Sequence, residues 1–238
     1  PEASRFQQVS DLEWAFGSMG VRDKARHLAT LYLEDISDLI IDAVDPNFGF
    51  SRYAEKIGRS AQEMDALYEA LLGPLSFVDE YLIALLKEKI IGQQPSLVAL
   101  SVPFPGNLYA ALRCGQYIKK EFPAIKIALG GGYANTELRS LSDQRILEFV
   151  DFICLDDGEA PLEQLFSFIQ QKTEATTLKR TFHLQEDQLV YTNASSCVDY
   201  KQATIGTPDY SDLLLHDYLS VIEVVNPMHR LWSDGRWN

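Results

Sequence analysis

Residues 96–132, SLVALSVPFPGNLYAALRCGQYIKKEFPAIKIALGGG, constrain the fold more than any other stretch, because they combine an apolar run, an amphipathic helix pattern and a second apolar run ending in three glycines. Residues 97–102 read as a strand buried on both faces, stopped by Pro103 and Pro105. Residues 107–122 place Leu108, Ala111, Leu112, Gly115, Ile118 and Lys119 at i, i+3, i+4 spacing, so one helix face is largely apolar until Pro123 closes it. Residues 125–129 supply the second strand. Parallel strands joined by a helix take a right-handed crossover, and in open sheets of this kind ligands lie beyond the carboxyl ends of the strands. The loops VPFPGN and GGGYAN therefore fall on one rim. The expected fold class is α/β, a Rossmann-like (flavodoxin-like) parallel sheet with flanking helices, a helical N-terminal segment and a small C-terminal β-hairpin appendage.

Composition narrows the partners. With 238 residues and 46% apolar content the chain has ample material for a core. Its 34 acidic and 21 basic side chains leave a net charge of −13, which argues against nucleic acid, whose binding rests on basic patches that release counterions. It argues equally against an anionic membrane. No apolar run approaches the roughly 20 residues that span a bilayer, and no secretory signal pattern is present. Cys114, Cys154 and Cys197 are odd in number and widely spaced, which suggests neither a disulfide framework nor a zinc site and fits a reducing cytoplasm.

The chain reads in three parts. Residues 1–95 form a helical N-terminal segment packing on the sheet, with helices over 22–44, over 60–72 (Ser60 and Glu63 as a capping box) and over 76–91. Residues 96–175 hold the α/β core. Its third parallel strand is 149–155, followed by DDGEAP and a helix over 162–171 whose Leu162, Leu165, Phe166 and Ile169 face inward. Residues 176–238 begin with a hairpin, strands 181–184 and 188–191 about the turn Gln185-Glu186-Asp187, and end in a polar connector with a further strand over 219–225. Three parallel strands make a narrow sheet, and the chain starts at Pro1, so one or two more strands are expected upstream in the full gene product.

Candidate chemistry concentrates on the rim. The glycines fail the dinucleotide fingerprint, whose third glycine would fall at Asn135, and no phosphate-loop lysine follows. Gly130, Gly131 and Gly132 serve either a turn needing positive φ or the close approach of a ligand. Asp156, Asp157 and Glu159 cluster after the third strand, where a helix N-terminus stabilises acids without a metal. His27, His183, His216 and His229 are scattered, and no nucleophile elbow or Cys/His pairing appears. The residues expected to line a ligand site are Ser101, Pro103, Gly106, Asn107, Gly130, Gly131, Gly132, Tyr133, Gly158 and Glu159, with no catalytic and no metal-ligating residue.

The succession SVPFPGNL, IALGGGYANTELR and VDFICLDDGEAPL, with the later GTPDYSDLL, resembles the N-terminal cobalamin-binding-type domain of radical S-adenosylmethionine (radical SAM) enzymes and the connector to their barrel. The resemblance spans roughly residues 95–218. It implies a crevice for the nucleotide tail of cobalamin, lined by a Ser-x-Leu segment, matched by Ser101-Val102-Pro103 with proline in place of leucine, and by the pair Gly131-Gly132. The cobalt-ligating histidine of DxHxxG has no counterpart at residues 54–59. The resemblance further implies a radical SAM barrel in the same polypeptide, with a [4Fe-4S] cluster on CxxxCxxC and S-adenosylmethionine. This chain lacks that motif, which is expected shortly after Asn238.

Three readings stay open. One is a corrinoid-holding accessory domain over the barrel, acting on a small-molecule or peptide substrate and not catalytic alone. Another is a degenerate module of that origin, which binds a substrate or partner but no cobalamin. The third is an unrelated receiver-like or flavodoxin-like domain.

Overall fold

The computed structural model describes residues 20–50, 64–207, 209–211 and 213. The chain divides into two compact units, Asn47–Gly206 and a second made of Pro1–Pro46 with Thr207–Asn238. In the second unit, α1 (Gly20–Ala43) carries the expected long apolar pattern, yet Tyr32, Ile36 and Leu39 are exposed while Thr30 and Leu31 are buried. The expected capping box at Ser60 and Glu63 and the strand over 219–225 lie outside the described residues.

Unit Asn47–Gly206 is an α/β fold of Rossmann-like type. Helices α2 (Met64–Leu72) and α3 (Phe77–Gln93) precede β1 (Leu97–Ser101), α4 (Pro105–Glu121), β2 (Lys126–Gly130), the short α5 (Gly132–Glu137), β3 (Phe152–Cys154) and α6 (Glu159–Ile169). The hairpin β4 (Thr181–Gln185) and β5 (Gln188–Thr192) follows, then the single turn α7 (Gln202–Ile205). The sheet order is β1-β2-β3-β4-β5, parallel through β3 and antiparallel beyond. The hairpin forms where the alternating pattern puts it, about Glu186 and Asp187, both at positive φ, and it extends the main sheet through β3.

Alternation sorts the strand residues between two cores. Ile127, Leu129 and Ile153 enter the larger one, with Leu108, Leu112 and Ile118 of α4 and with Leu67, Leu71 and Ile90 of α2 and α3. Each such side chain contributes roughly 1.5–3 kcal/mol of burial. Ala128, Phe152 and Cys154 point the other way, where Leu165 of α6 covers them. The short 3-10 helix Ala175–Thr177 adds Ala175 to the same cluster. Strand β1 is consequently not buried on both faces as its composition predicts: Ala99 and Ser101 are exposed, because α6 reaches β3 and leaves the β1 end of the face open.

Other boundaries shift for local reasons. The third strand shortens to three residues because residues 144–148 form a 3-10 helix whose turn runs through Phe149. Helix α6 begins earlier than expected, at Glu159, and turns Ala160, Pro161 and Leu165 inward; Leu162 and Phe166, expected inside, are 36% and 45% exposed. Two contacts lock α4 in place. Gly115 brings the helix so close to the chain before β3 that a Cβ there would lie 2.1 Å from the Phe149 carbonyl oxygen. Arg113, wholly buried, faces Asp79 at 3.1 Å and donates to the Leu71 and Ala70 carbonyls at 2.7 and 3.0 Å, capping the C-terminal end of α2. Asp79 also closes a capping box with Ser76 at the start of α3. No helix among the described residues is long and apolar enough to cross a membrane.

Candidate functional site

The rim loops meet at the carboxyl ends of β1 to β3, and backbone hydrogen bonds fix their spacing. Val102 N–H donates to the Gly130 carbonyl at 2.8 Å, and Tyr133 N–H donates to the Val102 carbonyl at 2.9 Å. This tight lacing explains two of the three glycines. Gly131 sits at φ +100°, and a Cβ on it would lie 2.8 Å from both Val102 N and O; on Gly132 it would lie 3.0 Å from the Pro103 carbonyl oxygen. Backbone conformation and neighbouring backbone together demand glycine at 131, whereas at 132 a Cβ would press on the Pro103 carbonyl.

Gly130 and Gly158 differ. A Cβ on Gly130 would make an ordinary 3.4 Å contact with the Cys154 carbonyl oxygen, and one on Gly158 would touch only Leu162 Cδ1 at 3.8 Å. Neither has positive φ, so the fold does not require glycine at either place. Both line a groove of about 280 Å³ on the sheet face left open by α6. The register sets Ala99 opposite Ala128 and Ser101 opposite Gly130, so the floor consists of small side chains on adjacent strands, continued by Cys154. Leu162 of α6, the preceding N-cap residue Gly158, and Asp156 form its other side.

Of the ten residues expected at the site, Ser101, Gly130, Gly131 and Gly158 line this groove. Pro103 and Asn107 are exposed near the rim, and Gly106 is buried inside α4. Gly132 starts α5, Glu159 starts α6 with its side chain exposed, and Tyr133 is 3% exposed in the main core, where burial pushes its phenol up to about 12. Pattern reasoning passed over Ala99, Ala128, Cys154 and Leu162. The available signal was the recurrence of small residues at alternate positions of successive strands. Burial pushes the Cys154 thiol up to about 11, so it stays protonated at neutral pH.

The carboxylates after β3 act as tethers. Asp156, at φ 62°, pairs with Arg139 and lies 3.4 Å from Arg180 Nε, and its N–H donates to Asn135 Oδ1 at 2.5 Å. Arg180 also grips Asp199 through two bonds of 2.9 and 2.6 Å and donates to the Asp157 carbonyl at 3.3 Å. The Arg180 guanidinium accordingly holds the Asp199 carboxyl below its ordinary range. These contacts bind the loop bearing Gly158 to the segment after β5. Among the described residues no group of three or more His, Cys, Asp or Glu side chains is placed to hold a metal ion.

The fold and groove define an α/β protein with an open groove at the carboxyl ends of its parallel strands. Compared with models of known protein families the chain matches none, and it has no significant match among curated proteins.

Proposed function

We propose that this unit is a cobalamin-binding-type accessory domain of a radical SAM enzyme, and that its groove receives the nucleotide tail of a corrinoid. The observation that carries the reading is the groove itself: strand ends bearing only small groups at Ala99, Ser101, Ala128 and Gly130, flanked by a glycine, Gly158, that the fold does not require. A flat heteroaromatic group needs such a shallow floor, and the Ser101 hydroxyl and Asp156 carboxylate supply polar partners at its edge.

In this reading the chain's own residues bind, orient and shield. Gly130, Gly131 and Gly158 leave room for the tail, Leu162 and Cys154 exclude water, and the protonated thiol of Cys154 offers no competing thiolate. When bound, the corrinoid supplies methyl transfer or related radical chemistry. The [4Fe-4S] cluster, S-adenosylmethionine and the small-molecule or peptide substrate belong to the barrel of the same cytoplasmic polypeptide. Among the described residues no histidine lines the groove, and the reading uses no axial protein ligand. That feature, with Pro103 in place of leucine, favours a second reading in which the same groove takes a different slim polar molecule.

Incubation with hydroxocobalamin followed by gel filtration tests the first reading. The expected result is a retained corrinoid with a shifted visible spectrum. Gly158→Leu, which fills the groove from the start of α6, should abolish retention while leaving the far-UV circular dichroism unchanged. Failure of the unaltered chain to retain the corrinoid, or undiminished retention by Gly158→Leu, sinks it.

A further inference from the structure

A second cavity, of about 340 Å³, opens at the other end of the sheet, where β2 and β3 begin and β4 ends. Lys126 lines it and Gly130 lines the groove, and these are the first and last residues of β2, so the two cavities lie at opposite ends of one strand. The walls are mostly apolar. The rings of Phe152 and Phe168 meet edge to face at 6.0 Å, and Leu147 and Leu184 complete the surround.

Of the four ionisable groups in these walls, three are already committed, and the only other polar side chain is the neutral amide of Gln185. Lys119 donates to the Leu147 and Val150 carbonyls at 2.9 and 3.1 Å and faces Asp151 at 3.4 Å. The second oxygen of Asp151 accepts the Ile127 N–H at 2.9 Å. His183 uses both ring nitrogens, on the Leu184 carbonyl at 3.2 Å and the Thr192 hydroxyl at 2.9 Å. Lys126 remains: its ammonium has no hydrogen-bond or ion-pair partner among the described residues. An aromatic wall with a single uncommitted cation, its other lysine held by Asp151 and two carbonyls and no arginine fork present to match a phosphate, suits one carboxylate on a flat ring.

We propose that this cavity binds a small aromatic carboxylate, with the ring against Phe152 and Phe168 and the carboxylate on Lys126. The site is independent of the groove and of any corrinoid.

The test is a titration of ¹⁵N-labelled protein with 2-naphthoate, using neutral 2-naphthamide as reference. Saturable shifts are expected at Phe152, Phe168, Leu184 and Gln185, with the acid bound about tenfold more tightly than the amide, the scale of one charge-assisted hydrogen bond. Lys126→Gln, an exposed substitution, should bring the acid down to the affinity of the amide without altering the melting temperature. Ala175 also lines the cavity, and Ala175→Trp, which fills it, should remove both. An absence of saturation up to the solubility of the acid, shifts centred on Ser101 and Gly130, or an unchanged preference for the acid in Lys126→Gln overturns the proposal.

Discussion

Four glycines near one rim carry different constraints. Gly131 combines φ +100° with a Val102 backbone 2.8 Å from any added Cβ, so Gly131→Ala meets a strained conformation and a clash together. A loss of about 3 kcal/mol is expected, read as a lowered urea midpoint with an unchanged slope. Gly158→Ala, with ordinary backbone angles and only Leu162 Cδ1 nearby, should alter stability by less than about 1 kcal/mol. The letters GGG announced a turn or a close approach. Which glycine served which purpose depended on where Val102 and Pro103 came to lie, and the spacing of the sequence carries no such distance.

At the scale of elements, α4 is both well specified by its pattern and tightly constrained by its neighbours. Leu108, Leu112, Gly115 and Ile118 were legible as its inner face and are buried. Alanine at Gly115 would raise helix propensity by about 1 kcal/mol, but its Cβ would stand 2.1 Å from the Phe149 carbonyl oxygen, and backbone at that position has no rotamer to yield. The clash outweighs the propensity. Gly115→Ala should therefore destabilise by about 1–3 kcal/mol net, measurable by urea denaturation. Helix α6 shows the opposite case. Its apolar period was clear, but its phase was not, since Leu162, Leu165, Phe166 and Ile169 all fit a stripe and only the approach to Ala128, Phe152 and Cys154 selects Leu165.

For the whole molecule, the ionisable groups walled into the cores predict weakness to alkali. Burial pushes the Cys114 and Cys154 thiols from 9.0 up to about 11, and the Tyr109 and Tyr133 phenols from 10.0 up to about 12. Each folded-state value lies above the unfolded one, so the native chain keeps protons that the unfolded chain releases. Stability should hold steady up to pH 9 and then fall, first through the thiol window of 9 to 11 and further through the phenol window of 10 to 12. Two thiols shifted by about two units amount to roughly 5 kcal/mol, comparable with the whole stability of a small domain. Urea midpoints measured at pH 8 and pH 10.5 check this, and Cys114→Ala with Cys154→Ala should flatten the first part of the fall. A constant midpoint across that range would show that the groups are not held protonated.

The sequence by itself determined the α/β class, the parallel β1-α4-β2 unit, the hairpin and the rim, because apolar periodicity and the turn chemistry of Gly and Pro are local properties that residues carry wherever they stand. Tertiary structure alone decided which rim residues share a cleft. Ser101, Gly130, Cys154 and Gly158 come from three strands and the cap of a helix, and they meet only because the strand register is set and α6 covers β3 while leaving β1 open. The same holds for Arg180, which looked like any charged residue before a hairpin and instead ties Asp156, Asp157 and Asp199 together. The three glycines that first drew attention to the rim divide along this line: Gly131 and Gly132 are packed against the backbone that builds it, and Gly130, beside Gly131 in the groove, is the one whose neighbours leave room for a side chain.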